Sequence, residues 1–434
     1  MNDPRGEMKT ETDVSNDEAA SSSADSETAF IHSLPTELLA FIFSMLSVKD
    51  LGQNVSRVCQ RWKETMHFKS IWSEKELTHE SEELLIYVLG VAPALKKLNI
   101  SQIACEDPKR VMTAICKGTK DIKTIHYNLS LFRPEEGARI LRHYKNHVLD
   151  LHLVGHALNH NSIYRNLDSV LGQMPQLRSL KLSGYFDTKW NKKVLEQSNL
   201  ELHHLDVSCI QDESDSYLPF LESVRPHLKT LMLPQKSNVG VLGSVASCDQ
   251  LKEITICLDD IRCISTLKSL ESLHIKWIDI VAKNKLKKFI RDCPVFENLR
   301  ELSMHYIPGE VASAIAERCR KLESLSLHGI TTCVSIVKTV PSLQKLRIVD
   351  GITFRMRHVQ QLPRYLPNLK HLDVLGSFFN QGIPPQIVSE LKSELPGLVI
   401  ICDPFVRYRK HAKGYIHKSC KDSSTDCSSD EAEA

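Results

Sequence analysis

The sequence predicts an α/β chain in which a small block of helices precedes a long curved stack of short parallel strands backed by helices. Three observations predict it. A six-residue apolar motif recurs through most of the chain, proline repeatedly stands two residues before that motif, and the stretch near the front has helical apolar periodicity without the motif. Strand and helix alternating along a chain favour a parallel sheet with helices on its face.

The motif is an apolar residue followed by apolar residues three and five places on. It reads Leu-Lys-Lys-Leu-Asn-Ile from Leu95 and restarts at Ile122, Val148, Leu177, Leu202, Leu228, Leu251, Leu270, Leu299, Leu322, Leu343 and Leu369, with a degenerate form at Leu398. The twelve steps from Leu95 to Leu398 run from 19 to 29 residues and average about 25, the period of leucine-rich repeats. Two of the three apolar positions alternate, which suits a short strand with one face buried. The segments between, such as Val-Ala-Ser-Ala-Ile-Ala-Glu-Arg before Cys319, read as helices. Pro93, Pro175, Pro226, Pro341, Pro367 and Pro396 cannot continue those helices and turn the chain into the next strand. A strand is narrower than a helix, so stacking such units curves the array. The expectation is a leucine-rich-repeat horseshoe of about thirteen irregular repeats over residues 79–404, with parallel strands on the concave side. Eight residues after the anchor, where such repeats often place Asn or Cys, stand Ile103, Ile210, Ile278, Ile307 and Ile330, so an apolar ladder is expected.

Residues 30–78 behave differently. Leu34-Pro35 opens a helix with Leu38, Leu39, Ile42, Phe43 and Leu46 at three- and four-residue steps. A second helix is expected from Asp50-Leu51, carrying Val55, Val58, Cys59 and Trp62, and a third with Phe68, Ile71 and Trp72. Proline in the first turn and aspartate at an N-cap are good starts. Three helices in about forty residues cannot bury this much apolar side chain among themselves. The surplus calls for a partner, either a foreign one or, as an ordinary helical hairpin, the rest of the chain.

This stretch resembles an F-box, the helical module by which substrate receptors dock onto the Skp adaptor of cullin-RING ubiquitin ligases. The matching residues are Leu34, Pro35, Glu37, Leu38, Leu39, Ile42, Phe43, Leu46, Asp50, Leu51, Val58, Cys59, Trp62 and Trp72, with polar Gly52-Gln53-Asn54 where an apolar residue is usual. The resemblance implies an adaptor-binding face built from these residues apart from Glu37, with the cullin scaffold and RING subunit recruited indirectly. It also implies a substrate-recognition subunit without catalytic residues or cofactor, holding an unknown protein substrate on the repeats. The alternative is a non-degradative scaffold that uses both modules for protein–protein interaction only.

Composition agrees with a globular chain: 42% hydrophobic and 25% charged. The longest apolar run, Leu84 to Leu95, is too short to span a bilayer and contains Pro93. The front is acidic and lacks an apolar signal core, so no secretion is expected. Thirteen cysteines without a CxxC pair fit neither a disulfide scaffold nor a zinc module. Cys116, Cys248, Cys293 and Cys319 precede apolar runs as small core residues, and a reducing compartment, cytoplasm or nucleus, is expected. Residues 1–29 carry a net −6 and residues 419–434 a net −4, which leaves +12 for the body of a chain whose total is +2. Both acidic ends are expected to be disordered, with 405–418 a basic segment.

No P-loop, dinucleotide fingerprint, HExxH or GxSxG is present. His143, His147, His152, His156 and His160 cluster, but Val148, Leu151 and Leu153 put the middle of the run on a repeat strand, which argues against a metal site. Outward strand positions fall two, four and six residues after each anchor. They place Lys276, His305 and His328 in one lateral row, with His274 beside it and Lys345 and Arg347 nearby, as a candidate surface for an acidic or phosphorylated segment. Asp150, Asp206, Glu253, Glu301 and Asp373 share that face and equal its five Lys/Arg in number, so a mixed, solvated face is the plain alternative. Nucleic acid is an unlikely partner by composition, since only 6% of residues are aromatic.

Overall fold

The computed structural model describes residues 31, 33–78, 80–103, 105–155, 167–184, 190–198, 200–210, 217–276, 283–305, 309–328, 338, 340–349, 356–375 and 382–403. The expectations for residues 1–29, 405–418 and 419–434 lie outside them, as do those for Ile278, Ile307, Ile330, His156 and His160.

Fourteen strands form one sheet in chain order, each parallel to the last: β1 Glu76–Thr78, β2 Ala94–Asn99, β3 Asp121–Asn128, β4 Asp150–Gly155, β5 Ser179–Gly184, β6 His204–Ile210, β7 Thr230–Met232, β8 Glu253–Cys257, β9 Ser272–Lys276, β10 Glu301–His305, β11 Ser324–His328, β12 Lys345–Val349, β13 His371–Leu375 and β14 Val399–Asp403. A parallel sheet whose order never departs from the sequence is a solenoid, each turn contacting only its neighbours. The anchors and their partners three and five places on are buried in every unit from Leu95 to Leu369, as with Leu302 and Met304 after Leu299. The last unit is one residue short. Leu398 is buried, but the register pairs Leu372 with Ile400 and Val374 with Cys402, which turns Val399 and Ile401 out to solvent.

The sheet starts earlier than expected. Glu76, Leu77 and Thr78 pair with Lys97, Leu98 and Asn99, so a fourteenth strand lies inside the stretch read as wholly helical. One buried leucine in three residues leaves no periodic signal to read. Elsewhere the connecting segments supply outer helices with local starts that the sequence explains. Pro108–Lys117 begins on Asp107, whose carboxylate accepts from the N–H of Lys109 and Arg110 at 3.1 and 3.2 Å. Between β4 and β5 the turns sit very close. Gly184 has φ +92°, and a Cβ there would lie 2.0 Å from the Gly155 carbonyl oxygen, so only glycine fits.

The front module is α1 Thr36–Met45, α2 Val48–Gln53, a 3₁₀ turn Val55–Arg57, α3 Gln60–Thr65 and α4 Lys69–Trp72. The long second helix expected from Asp50 to Trp62 is therefore broken into two. Its cap is Ser47 rather than Asp50: Ser47 Oγ accepts from the Asp50 N–H at 3.0 Å and donates to the Asp50 carboxylate at 2.6 Å. Pro35 likewise stands just outside α1, as its N-cap. Gly52 is where α2 meets α5, Glu82–Val91. Its Cβ position would lie 2.5 Å from Leu84 Cδ1, so the glycine that breaks the apolar pattern lets the two helices approach. One continuous apolar core runs from Leu39 to Leu398. Among the described residues, no helix is long and apolar enough to cross a membrane.

Candidate functional site

Helix α1 has two apolar faces. Leu39, Ala40 and Phe43 point inward and are buried. Leu38 (50% exposed), Phe41 (60%), Ile42 (39%) and Met45 (68%) lie on the opposite arc, at i, i+3, i+4 and i+7, and face solvent. Val58, at the break between the two halves of the expected second helix, is also exposed. Large apolar side chains aligned along a helix and open to water mark an interaction surface.

The rest of the module holds this helix in place. The Arg61 guanidinium donates to the Leu34 carbonyl at the entry to α1. At the other end the Lys75 ammonium donates to the carbonyls of Ser44, at 2.6 Å, and of Leu46. A lysine there satisfies carbonyls left without helical partners and complements the negative end of the helix dipole. Burial pushes the Lys75 ammonium below its ordinary pKa. Underneath, Phe43 meets Trp62 edge-on with ring centroids 5.1 Å apart, and Trp72 Nε1 donates to the Met66 carbonyl.

The residues expected to make one docking face therefore divide. Leu39, Phe43, Leu51 and Trp72 are fully buried; they form the module's own core and offer no contact surface, a correction to their expected place. Leu34, Leu46, Cys59 and Trp62 are half-buried, and Pro35, Leu38, Ile42, Asp50 and Val58 are exposed. Phe41 and Met45, the most open members of the stripe, were missed. Their signal is present: each stands three residues after a member of the stripe, Phe41 after Leu38 and Met45 after Ile42.

On the other face of the molecule the register aligns outward side chains in rows across the strands. One row runs His126, His152, Lys181, Asp206, Met232, Thr255, His274, Ser303, Ser326, Arg347, Asp373, Ile401. His305 pairs with His328 in the next row, where Lys276 follows its neighbour Ile275, paired with Met304. Lys345 falls in the third row, beside Ser324 and His371. The expected Lys276–His305–His328 row is thus formed, but its histidines are not cations at neutral pH. Their rings stack at 4.4 Å. Burial, then His305 and Arg347, pushes His328 down to about 4, while burial and Lys276 lower His305. A second pair, His126 and His152, lies edge-on at 4.9 Å. Burial, then His126 and Lys181, pushes His152 down to about 4.

Two pairs of charged groups in these rows are satisfied locally. Lys181 bonds Asp206 at 2.7 Å, and with Ser208 holds that carboxyl below its usual pKa against the opposing effect of burial. His274 bonds Glu253 at 3.4 Å. By contrast Lys276, Lys345 and Arg347 form no ion pair among the described residues. Arg347 Nε is shielded from solvent and meets no hydrogen-bond partner there. His143, His147 and His152 sit on a helix, the turn after it and a strand, and the described residues contain no grouping of His, Cys, Asp or Glu that could hold a metal ion.

The F-box-like family profile matches residues 31–77, the module just described. An FBD-associated F-box protein of Arabidopsis thaliana is 25% identical over 223 residues, 45% of this chain and 45% of the relative. A putative FBD-associated F-box protein of the same plant is 27% identical over 136 residues, 30% of this chain and 31% of the relative. The match thus spans less than half the length of these curated relatives. Among solved structures, the yeast Rad7–Elc1 complex aligns with a TM-score of 0.45 at 15% identity, covering 87% of this chain and 95% of that one. An internalin of Listeria monocytogenes aligns with a TM-score of 0.32 at 14% identity, covering 61% and 78%. An F-box-like domain joined to a leucine-rich-repeat solenoid is the build of a protein-interaction adaptor.

Proposed function

We propose that this chain, an F-box protein whose remaining described length is a leucine-rich-repeat solenoid, is the substrate-recognition subunit of a Skp-cullin-F-box ubiquitin ligase. The observation that carries the reading is the open stripe Leu38, Phe41, Ile42 and Met45 on a helix clamped at both ends by Arg61 and Lys75. A monomer gains nothing by holding such a stripe rigid in water; a foreign helical subunit covering it does. The Skp adaptor is that subunit, the cullin and RING subunits follow through it, and the solenoid holds a protein substrate. No catalytic group is required of such a chain. It raises the effective concentration of a substrate lysine near the thioester of a conjugating enzyme. The work is done in a reducing compartment, cytoplasm or nucleus.

The test is capture of the Skp adaptor by the full chain. Replacing Leu34 and Pro35 with Ala, or Ile42→Asp, removes capture while the unfolding midpoint of the solenoid is kept. Capture at the parent level by all these variants refutes the reading. Cullin co-purification then separates a ligase subunit from a scaffold, since a scaffold retains the adaptor without the cullin.

A further inference from the structure

We infer that a basic corner on the rim of the solenoid, where the chain enters β10 to β13, is the docking site of the chain's own acidic segment 419–434. The corner is built from the turns that precede those strands. It is separate from the outward strand positions and from the α1 stripe.

Cations without acids set the corner apart. Further back along the rim Lys96 holds Glu74 at 3.2 Å, Lys123 holds Asp121 at 3.1 Å, Arg178 holds Glu201 at 3.4 Å and Lys252 holds Glu271 at 3.3 Å. Between β10 and β13 the pattern changes. Arg320, Lys321, Lys338, Arg364 and Lys370 are exposed and form no ion pair among the described residues. The acids at the matching rim positions are already taken, Glu297 by Arg318 and Glu323 by Arg300, both at 2.8 Å. Lys321 and Lys370 face one cavity of about 360 Å³ whose lining side chains are all polar, neutral Gln344 and Asn368 among them. On the same turns Lys338 and Arg364 flank the Tyr365 ring, 5.2 and 5.9 Å from its centroid, a contact that leaves their charge uncompensated. Uncompensated charge of one sign gathered in a cleft concentrates the opposite ion there.

Charge and reach select the occupant. Segment 419–434 carries Asp422, Asp426, Asp430, Glu431 and Glu433 against Lys421 alone, a net −4. The chain leaves the solenoid at Asp403, the end of β14 away from the rim. From there the corner lies about 16 Å back along the strand and up to about 14 Å across three strands, a straight span of about 21 Å. Residues 404–418 bridge it, and a random coil of that length has an r.m.s. extent of about 21 Å. A link whose length matches its span gives the highest effective concentration, in the millimolar range. Contacts that are individually weak at a surface then suffice together. Residues 1–29, with their net −6, are attached at the other end of the stack, beside β1. From β1 to β12 is about 53 Å, against about 30 Å for a coil of that length. The corner is thus filled from within, and an outside polyanion reaches it only when the segment leaves.

The experiment is zero-length carbodiimide coupling of the full chain, which joins carboxylates to lysines in contact, read by mass spectrometry. Coupling of Asp426, Asp430, Glu431 or Glu433 to Lys321, Lys338 or Lys370 is expected, and should fade in about 0.5 M salt. In a Lys321→Glu, Lys370→Glu double variant the coupling left at Lys338 should fall several-fold. A labelled oligo-glutamate peptide gives a second reading by anisotropy. A full chain carrying D422N, D426N, D430N, E431Q and E433Q is expected to bind it about 5-fold tighter than parent, and the double variant should abolish that gain. Coupling confined to residues 404–434 overturns the inference, by making the basic link the partner of the acidic segment. So does coupling of the same lysines to acids of residues 1–29, or coupling between copies in a mixture of isotope-labelled and unlabelled chains. Equal probe binding by parent and neutralised chains overturns it as well. Adaptor capture and the unfolding midpoint are scored on the same samples. A double variant that keeps both but loses the coupling supports the inference independently of Ile42→Asp, which tests the docking helix alone.

Discussion

Acidification from pH 7 to pH 5 should destabilise the solenoid through its two histidine pairs, and the size of the effect follows from their burial. His152 and His328 are held at about 4 in the folded chain, against about 6.5 for a solvated imidazole. A folded-state value below the unfolded one means the unfolded chain binds more protons between those limits. The associated stability is therefore complete above about pH 6.5 and is lost as pH falls toward 4. From pH 6.5 to pH 5 the ceiling is about 2 kcal/mol for each histidine. Both are half-buried, so solvent screening brings this to about 1 kcal/mol each, or about 2 kcal/mol together. His126 and His305 are lowered in the same direction and reinforce the trend. The assay is denaturant unfolding at pH 7, 6 and 5 of the parent and of a His152→Gln, His328→Gln double variant, in which this part of the slope disappears. Equal pH dependence in parent and variant, or a parent that gains stability on acidification, refutes the reasoning.

On the proposed docking, Phe41→Ala with Met45→Ala removes about 1–2 kcal/mol of apolar burial per residue, so calorimetry should show adaptor affinity falling by about 30-fold or more while stability stays within about 0.5 kcal/mol of parent. Leu39→Ala or Phe43→Ala does the reverse: chemical unfolding should show a loss of about 2–5 kcal/mol in the front module, since both side chains are buried. Gly184→Ala combines a φ of +92° with a Cβ 2.0 Å from a backbone oxygen, whereas Gly397→Ala has φ +88° and open space. Thermal melts should show a loss of about 1 kcal/mol for the second and clearly more for the first.

The solenoid was legible because its signal is repeated: an anchor with partners three and five residues on is a statement about burial, and the buried positions from Leu95 to Val374 obey it. What the pattern missed were features set by a single contact. β1 has one buried leucine and is fixed by pairing with β2. The close approach of Gly52 to Leu84 joins residues about thirty positions apart, which spacing within one helix does not reveal. On the front module, periodicity found the helices but did not tell an inward from an outward apolar face. Leu39 and Phe43 were grouped with Leu38 and Ile42, although the rest of the fold covers one pair and leaves the other exposed. The lateral row of Lys276, His305 and His328 follows from spacing and is formed by the register. Its charge does not follow from spacing, because burial and ring stacking leave His305 and His328 neutral.

Hydrogen–deuterium exchange of the full chain with and without the Skp adaptor bears most directly on the α1 stripe as a surface held open for another subunit. New protection confined to residues 36–45 and the neighbourhood of Val58, with β9 to β14 unchanged, is the outcome this account predicts. Protection that leaves α1 untouched, or none at saturating adaptor, contradicts it.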